Sequence, residues 1–212
     1  CESSLKQNRP INIVYTQNFR NYSNIQDAIR ENYRKGRINQ TVAYVRRMHT
    51  KYLNFKREMT IELIFNRLKN FVDVSDPDIS LPNYYHGVQT AEQMKADGMP
   101  DWLQFVGLIH DIGKIMFCWG CDEDGTSIKE QWGIVGDTFI VGCKLPEGDG
   151  IVFPEYNRFN RDMKNPEYNT KLGIYSQGCG LDNVLCSWGH DEYLYQVLRH
   201  NKVDLPEEAF YI

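Results

Sequence analysis

His110 and Asp111 stand side by side in the most apolar helix-like stretch of the chain, Pro100 to Phe117, and Lys114 follows three residues after the aspartate. A helix over 100–117 would be apolar around most of its circumference and buried on nearly all sides. Burying an unpaired carboxylate or ammonium costs on the order of several kcal/mol unless a partner or a metal compensates it. Lys114 also lies four residues after His110, so all three side chains can point into one cavity. Adjacent residues diverge by about 100° around a helix. His110 and Asp111 can therefore approach one ion from two sides, or Asp111 can bridge two. A metal held by imidazole and carboxylate is the simplest compensation, and iron, manganese and zinc all suit such donors.

Three of the five histidines, His86, His110 and His190, fall where helices are expected. Taken alone, each would be an ordinary hydrogen-bonded imidazole. As a set on separate helices they form the pattern of a metal site built inside a helical bundle. His49 and His200 sit among basic residues near helix ends and read as surface groups.

The elements that must position these residues can be traced along the chain. Residues 1–18 read as a polar arm and 19–212 as one domain. Asn24 to Arg34 is a short helix candidate, Val42 to Phe55 a second behind Asn39-Gln40-Thr41, and Thr60 to Val72 a third. In the third, Thr60 is the expected N-cap, and Ile61, Leu63, Ile64, Leu68 and Phe71 the apolar side. A Pro-, Asp- and Ser-rich loop spans Asp73 to Pro82. His86 to Ala96 is helical, and the apolar stretch follows Met99-Pro100. Gly133 to Cys143 alternates turn residues with β-branched runs and predicts a small hairpin. Residues 144–179 read as a long structured loop, and Leu181 to His200 as a strong helix. The class is mainly α.

The chain has 212 residues, enough for one substantial core. A formal net charge of -4 gives no electrostatic case for nucleic acid or an anionic membrane. No apolar run approaches membrane-spanning length, and Cys1 to Lys6 contains no secretory apolar region. Six cysteines in such a chain read as free thiols of a cytoplasmic protein. Cys118-Trp-Gly-Cys121 is a lone CxxC without the second pair that a zinc site needs.

At this point the residues resemble a known family. His86, His110-Asp111 and a distant histidine resemble the HD-domain superfamily of metal-dependent phosphohydrolases. Much of the chain goes further and is similar to the myo-inositol oxygenase family. The matching segments run in family order: Phe19-Arg20-Asn21-Tyr22, Asn39-Gln40-Thr41-Val42, Asp73 to Asp78, Gln89-Thr90-Ala91-Glu92, Gly107 to Lys114, Val135-Gly136-Asp137-Thr138-Phe139, Cys179-Gly180-Leu181-Asp182 and Ser187 to Tyr193. The short HD motif is unspecific, whereas the Ser-Trp-Gly-His-Asp-Glu-Tyr and Val-Gly-Asp-Thr-Phe blocks are specific to this family.

The resemblance implies an HD-like helical bundle that opens the ring of myo-inositol with dioxygen and releases D-glucuronate, a step of inositol catabolism. It implies a non-haem diiron centre, active as Fe(II)/Fe(III). By motif match, His86, His110 and Asp111 would hold the first iron, with Asp111 bridging, and His190 would belong to the second. Lys114, Arg20, Asp73, Ser75, Gly136 and Asp137 would contact the substrate, with Lys114 and Asp111 catalytic. A cyclohexanehexol offers only hydroxyls, which a site of paired donors and acceptors can recognise. Oxygen activation needs a redox metal, so zinc would not serve. A monomer is expected.

The chain departs from the family pattern in three places. Val74 stands where an acidic residue is usual, and Cys121 to Ser127 reads as an insertion. The family's second iron also takes a histidine and a bridging aspartate from positions beyond Ile212. The expectation is that this part of the family domain is missing here, leaving Asp111 and His190 alone at the second iron and the 212-residue polypeptide not fully active.

Other readings attach to the same residues. Asp73, Ser75, Asp76 and Asp78 are good turn and cap formers, Gly136-Asp137 suits a hairpin turn, and Arg20 alone would be a surface charge. Two rival functions follow. An HD-type phosphohydrolase would need several Arg or Lys side chains converging on phosphate, and only Lys114 is a candidate near the ligands. A non-catalytic helical interaction protein, or an inactive fragment, would use the same polar residues as a buried network.

Overall fold

The computed structural model describes residues 27–76 and 81–211, so the expected N-terminal arm, Arg20 and Asp78 lie outside the described residues. Six α-helices occur among the described residues: α1 (Asp27–Asn39), α2 (Val42–Tyr52), α3 (Ile61–Leu68), α4 (Asn83–Ala96), α5 (Asp101–Ile109) and α6 (His190–His200). Short 3₁₀ turns fill much of the long connection from 112 to 183. The fold is mainly α, with one two-stranded sheet formed by β1 (Ile140–Val141) and β2 (Leu185–Cys186).

The caps act where the sequence places them. The Thr41 hydroxyl accepts from the backbone of Tyr44 at the start of α2, and the Thr60 hydroxyl accepts from Leu63 at the start of α3. Each satisfies one of the orphan N–H groups of a first helical turn. The helices α4 and α5 each begin directly after a proline, Pro82 and Pro100, whose ring presets φ for the approach. They pack along each other and face His86 toward His110. The core lies under α2 and α6, where Tyr52, Trp188 and Tyr193 meet ring to ring around the fully buried Val45 and Met48. No helix of the described residues is long and apolar enough to cross a membrane.

Five expectations are corrected. The stretch 100–117 is not one helix: α5 ends at Ile109, and a tighter 3₁₀ helix takes over from Ile112 to Trp119, with Lys114 N bonding to Asp111 O. The break lets the close-packed Gly113 pass beneath the carbonyl of His190. Burial is also uneven, since Asp101 is exposed, the rest of the first turn is half-buried, and the continuously buried run is Asp111 to Met116.

The expected hairpin over 133–143 does not form. Its second half pairs with a distant segment, Ile140 opposite Cys186 and Val141 opposite Leu185. Its first half is taken up by α6, because the Ile134 carbonyl accepts from both the backbone N–H and the ring of His190. For the same reason the helix expected from Leu181 begins only at His190, since Leu185 and Cys186 are drawn into the sheet and Gly189 is extended.

On α3 the apolar face is narrower than its spacing suggests. Leu68 and the following Phe71 are buried, but Ile61 and Leu63 are exposed. His49 is not a plain surface group; its ring packs edge-on against Trp188, and its Nε2 is buried without a hydrogen-bond partner.

Candidate metal centre

The centre is built where four pieces of chain meet. α4 supplies Asn83 and His86, the end of α5 supplies His110 and Asp111, the 3₁₀ turn supplies Lys114, and α6 begins with His190. Donor atoms from His86, His110 and Asp111 all lie within 4.8 Å of one another. His86 Nε2 is 3.9 Å and His110 Nε2 is 3.5 Å from Asp111 Oδ2. Donors that each bind one ion at about 2.1 Å stand at most about 4.2 Å apart, so both separations suit a shared ion.

The carboxylate of Asp111 divides its two oxygens. Oδ2 faces His86 and His110 and accepts from Asn83 Nδ2 at 2.5 Å. Oδ1 faces His190 Nε2 at 3.3 Å and Lys114 Nζ at 2.8 Å. Two of the imidazoles are oriented by the backbone. His110 Nδ1 bonds to Gly107 O at 2.7 Å, and His190 Nδ1 bonds to Ile134 O at 2.8 Å. A carbonyl can only accept, so Nδ1 carries the proton and each Nε2 is turned toward Asp111, as a metal ligand requires.

Charge at the centre is tightly compensated. Burial alone would raise the Asp111 carboxyl; the hydrogen bond to His190 and the charges of Lys114, His190 and His110 hold it well below the usual carboxylate range. Burial likewise opposes charge on His190. The carboxylate of Asp191, 2.8 Å from Nε2, and that of Asp111 overcome it and raise the imidazole to about 10. Burial keeps His86 below its ordinary value, favouring the neutral ring that can donate a lone pair. The cluster thus demands positive charge, which a proton on His190 supplies here and a cation between the ligands would supply as well. The donor set fits a metal of the imidazole-and-carboxylate class.

Lys114 is only 4% exposed. Its three protons go to Asp73 Oδ2 at 2.7 Å, Asp111 Oδ1 at 2.8 Å and Asn83 Oδ1 at 3.1 Å. Burial would lower its pKa, but Asp111 and Asp73 raise it above the ordinary value, so it is an ammonium. Both Ser75 N and Ser75 Oγ donate to Asp73 Oδ1 at 2.7 Å, the local turn that such residues form readily.

Beside these groups lies a cavity of about 220 Å³, walled by Asp73, Ser75 and Asp76 on one side and by His86, Asp111 and His190 on another. Tyr33 and Gly136 complete it. Of the site residues expected from sequence, the structure gathers Asp73, Ser75, His86, Asp111, Lys114, Gly136 and His190 around this cavity, with His110 directly behind Asp111. Asp137 is held apart, its carboxylate paired with Arg37 of α1, and Arg20 lies outside the described residues. Sequence reasoning missed Asn83, Asp191 and Arg37. Asn83 was findable, since it lies one helical turn before His86. Asp191 stands next to His190 in a quoted motif, but its carboxylate role depends on Thr138, which donates to it at 2.8 Å from a distant loop. Cys118, Cys121, Cys143, Cys179 and Cys186 are free thiols.

A mainly helical protein that gathers histidines and a bridging-type carboxylate beside a small polar cavity has the donor arrangement of a metal site built inside a helical bundle. The family model described as myo-inositol oxygenase matches residues 26–212. Inositol oxygenase of Mus musculus is 44% identical over 198 residues, covering 92% of this chain and 66% of that protein. A probable inositol oxygenase of Oryza sativa subsp. japonica is 46% identical over 200 residues, covering 92% and 62%, and inositol oxygenase 1 of Arabidopsis thaliana is 43% identical over 203 residues, covering 93% and 63%. The chain therefore spans slightly less than two thirds of the length of these relatives. It belongs to the myo-inositol oxygenase family.

Proposed function

We propose that the protein is an inositol oxygenase, cleaving the ring of myo-inositol with dioxygen to give D-glucuronate, with residues 19–212 forming most of an HD-like catalytic domain. The observation that carries this reading is the split carboxylate of Asp111, one oxygen toward His86 and His110 and the other toward His190, beside a cavity walled by polar side chains. We assign His86, His110 and Asp111 to a first iron and Asp111 with His190 to a second. Bound iron would supply the electron transfer to dioxygen and the Lewis acidity toward a substrate hydroxyl that ring cleavage requires.

The remaining steps belong to this chain's own groups. Lys114 has every proton engaged, so a hydroxyl entering the cavity replaces one of its partners. As a buried ammonium it stabilises negative charge on that oxygen in a water-poor space. Asp73 holds Lys114 charged and aimed, and Ser75 fixes Asp73 in turn. Ser75, Asp76 and Asn83 line the same wall, offering the alternating donors and acceptors that a polyol needs.

The charge of the cavity disfavours a phosphohydrolase. Among its described lining residues the only lysine or arginine is Lys114, already bracketed by Asp73 and Asp111, with Asp76 adding a third carboxylate. A phosphate would meet more repulsion than attraction. The deciding experiment supplies the iron-loaded full-length protein with myo-inositol and follows dioxygen consumption and glucuronate, in parallel with phosphate release from nucleotides. Matched oxygen uptake and glucuronate support the reading; phosphate release, or neither product, overturns it.

A further inference from the structure

We infer that Arg37 is a positioning residue that sets one wall of the polyol cavity, acting through Asp137 and Gly136. The inference rests on the proposed inositol reading and concerns a side chain that lies outside the cavity.

The segment Val135 to Phe139 reaches the cavity only through Gly136, whose φ of +121° is a conformation that favours glycine. Nothing else in this segment is anchored by regular structure before β1 begins at Ile140. Ser187 and Asp191 hold its far end, through Phe139 N and the Thr138 hydroxyl, and the inner face of α1 holds the residues flanking Gly136. Asn32 Nδ2 donates to the carbonyl of Val135 at 3.3 Å. One turn further, Arg37 is 2% exposed and does three things at once. Its Nη2 donates to Asp137 Oδ2, its Nε and Nη2 donate to the carbonyl of Val152 at 3.3 and 3.2 Å, and its guanidinium lies 4.6 Å from the centre of the Phe139 ring. Asn32 and Arg37 therefore grip the residues on both sides of Gly136. Tyr33, between them on the same helix, lines the cavity directly.

Only a planar, multidentate cation can hold a carboxylate, a carbonyl and an aromatic face together. A lysine reaches the carboxylate but supplies no fork and no flat face. Loosening the grip displaces Gly136 and so alters the fit of a rigid polyol, while His110 and His190 keep their own backbone anchors. The expected signature is weakened substrate binding with metal and turnover retained, which uniform loss of structure would not give.

The test compares the iron-loaded full-length protein with its Arg37→Gln and Arg37→Lys variants. It measures iron content, calorimetric binding of myo-inositol, KM and kcat, and the preference for myo-inositol over its ring epimers. For Arg37→Gln, Kd and KM should rise about tenfold, kcat should stay within about threefold, iron content should be unchanged and the epimer preference should narrow. Arg37→Lys should recover part of the affinity. Unchanged affinity in Arg37→Gln overturns the inference, as does a joint fall of kcat and iron content. If Arg37→Gln does not fold, Arg37→Lys decides alone: Kd should rise at least about threefold, and wild-type affinity overturns the inference. If the unmodified protein binds metal but not myo-inositol, the inositol reading fails and this inference falls with it; normal inositol turnover beside unaffected Arg37 variants removes this inference only.

Discussion

The α-carbon of Gly113 lies against the carbonyl oxygen of His190 so closely that a β-carbon added at 113 would stand 2.1 Å from that oxygen. No side-chain rotation relieves such a clash, because both partners are backbone. Gly113→Ala should destabilise the fold by about 1–3 kcal/mol, as overpacking of a tight contact does, and should displace His190 from Asp111. Thermal melting and metal analysis check this. A variant with normal melting and normal metal content would show that the start of α6 is free to move.

Removing an imidazole from the first site should remove its ion. His110→Ala leaves Asp111 and His86 with a ligand missing, and iron at that site should be lost while the fold persists. Inductively coupled plasma analysis gives the stoichiometry, and an unchanged value rejects the assignment. Stripping metal from the wild type with a chelator should lower its melting temperature. A ligand present at about 100 times its dissociation constant stabilises the native state by about 2.7 kcal/mol.

Lys114→Ala should keep the metal and lose turnover. Loss of one preorganised charge at a reacting oxygen costs about 10²–10³ in kcat. In the metal-free protein the variant should also melt earlier, since Asp73 would lose its counter-charge and Asp111 would keep only that of His190, and breaking a buried pair costs about 3–5 kcal/mol. Wild-type turnover in Lys114→Ala would remove it from the chemistry.

Acid sensitivity should trace in part to Asp124, which joins Lys51 at 2.8 Å and Arg47 at 3.0 Å. Burial would raise this carboxyl, but the hydrogen bonds from Lys51, Cys121 and Arg47 lower it below its ordinary value. A depressed folded-state pKa contributes stability that is full above the unfolded value of about 3.9 and is lost as pH falls through the lower folded value. Asp124→Asn should cost about 1 kcal/mol at neutral pH and flatten the acid limb of a denaturation series below the unfolded value of about 3.9. An unchanged acid limb would assign the sensitivity elsewhere.

The parts of this design that are local in sequence could be read from it. Thr60 and Thr41 announce their helices because capping involves residues three apart. His110-Asp111 with Lys114 announces a compensated charge cluster because their neighbours are apolar. The end of α5 at Ile109 could not be read this way, since its cause is the passage of His190 over Gly113. The pairing of Ile140 with Cys186 was likewise hidden, because alternation in 133–143 says only that a strand is possible and names no partner. Arg37 offered no signal in its own neighbourhood; its partners are Asp137 and Val152, both far along the chain.

Gln40 has a consequence for the order of assembly. Its side-chain amide donates to the carbonyl of Trp188 at 2.6 Å and accepts from the N–H of Trp188 at 2.9 Å, closing a span of 148 residues with one side chain. His86 and Asp111 are near neighbours along the chain, whereas His190 gains its place only after that long span has closed, at an entropic cost that rises with the logarithm of its length. During synthesis half of the metal cradle is therefore present long before the other half has been translated. For any metal that fills this cradle, the moment of delivery would be a kinetic variable of maturation, since an ion captured early would meet a site with only one side built.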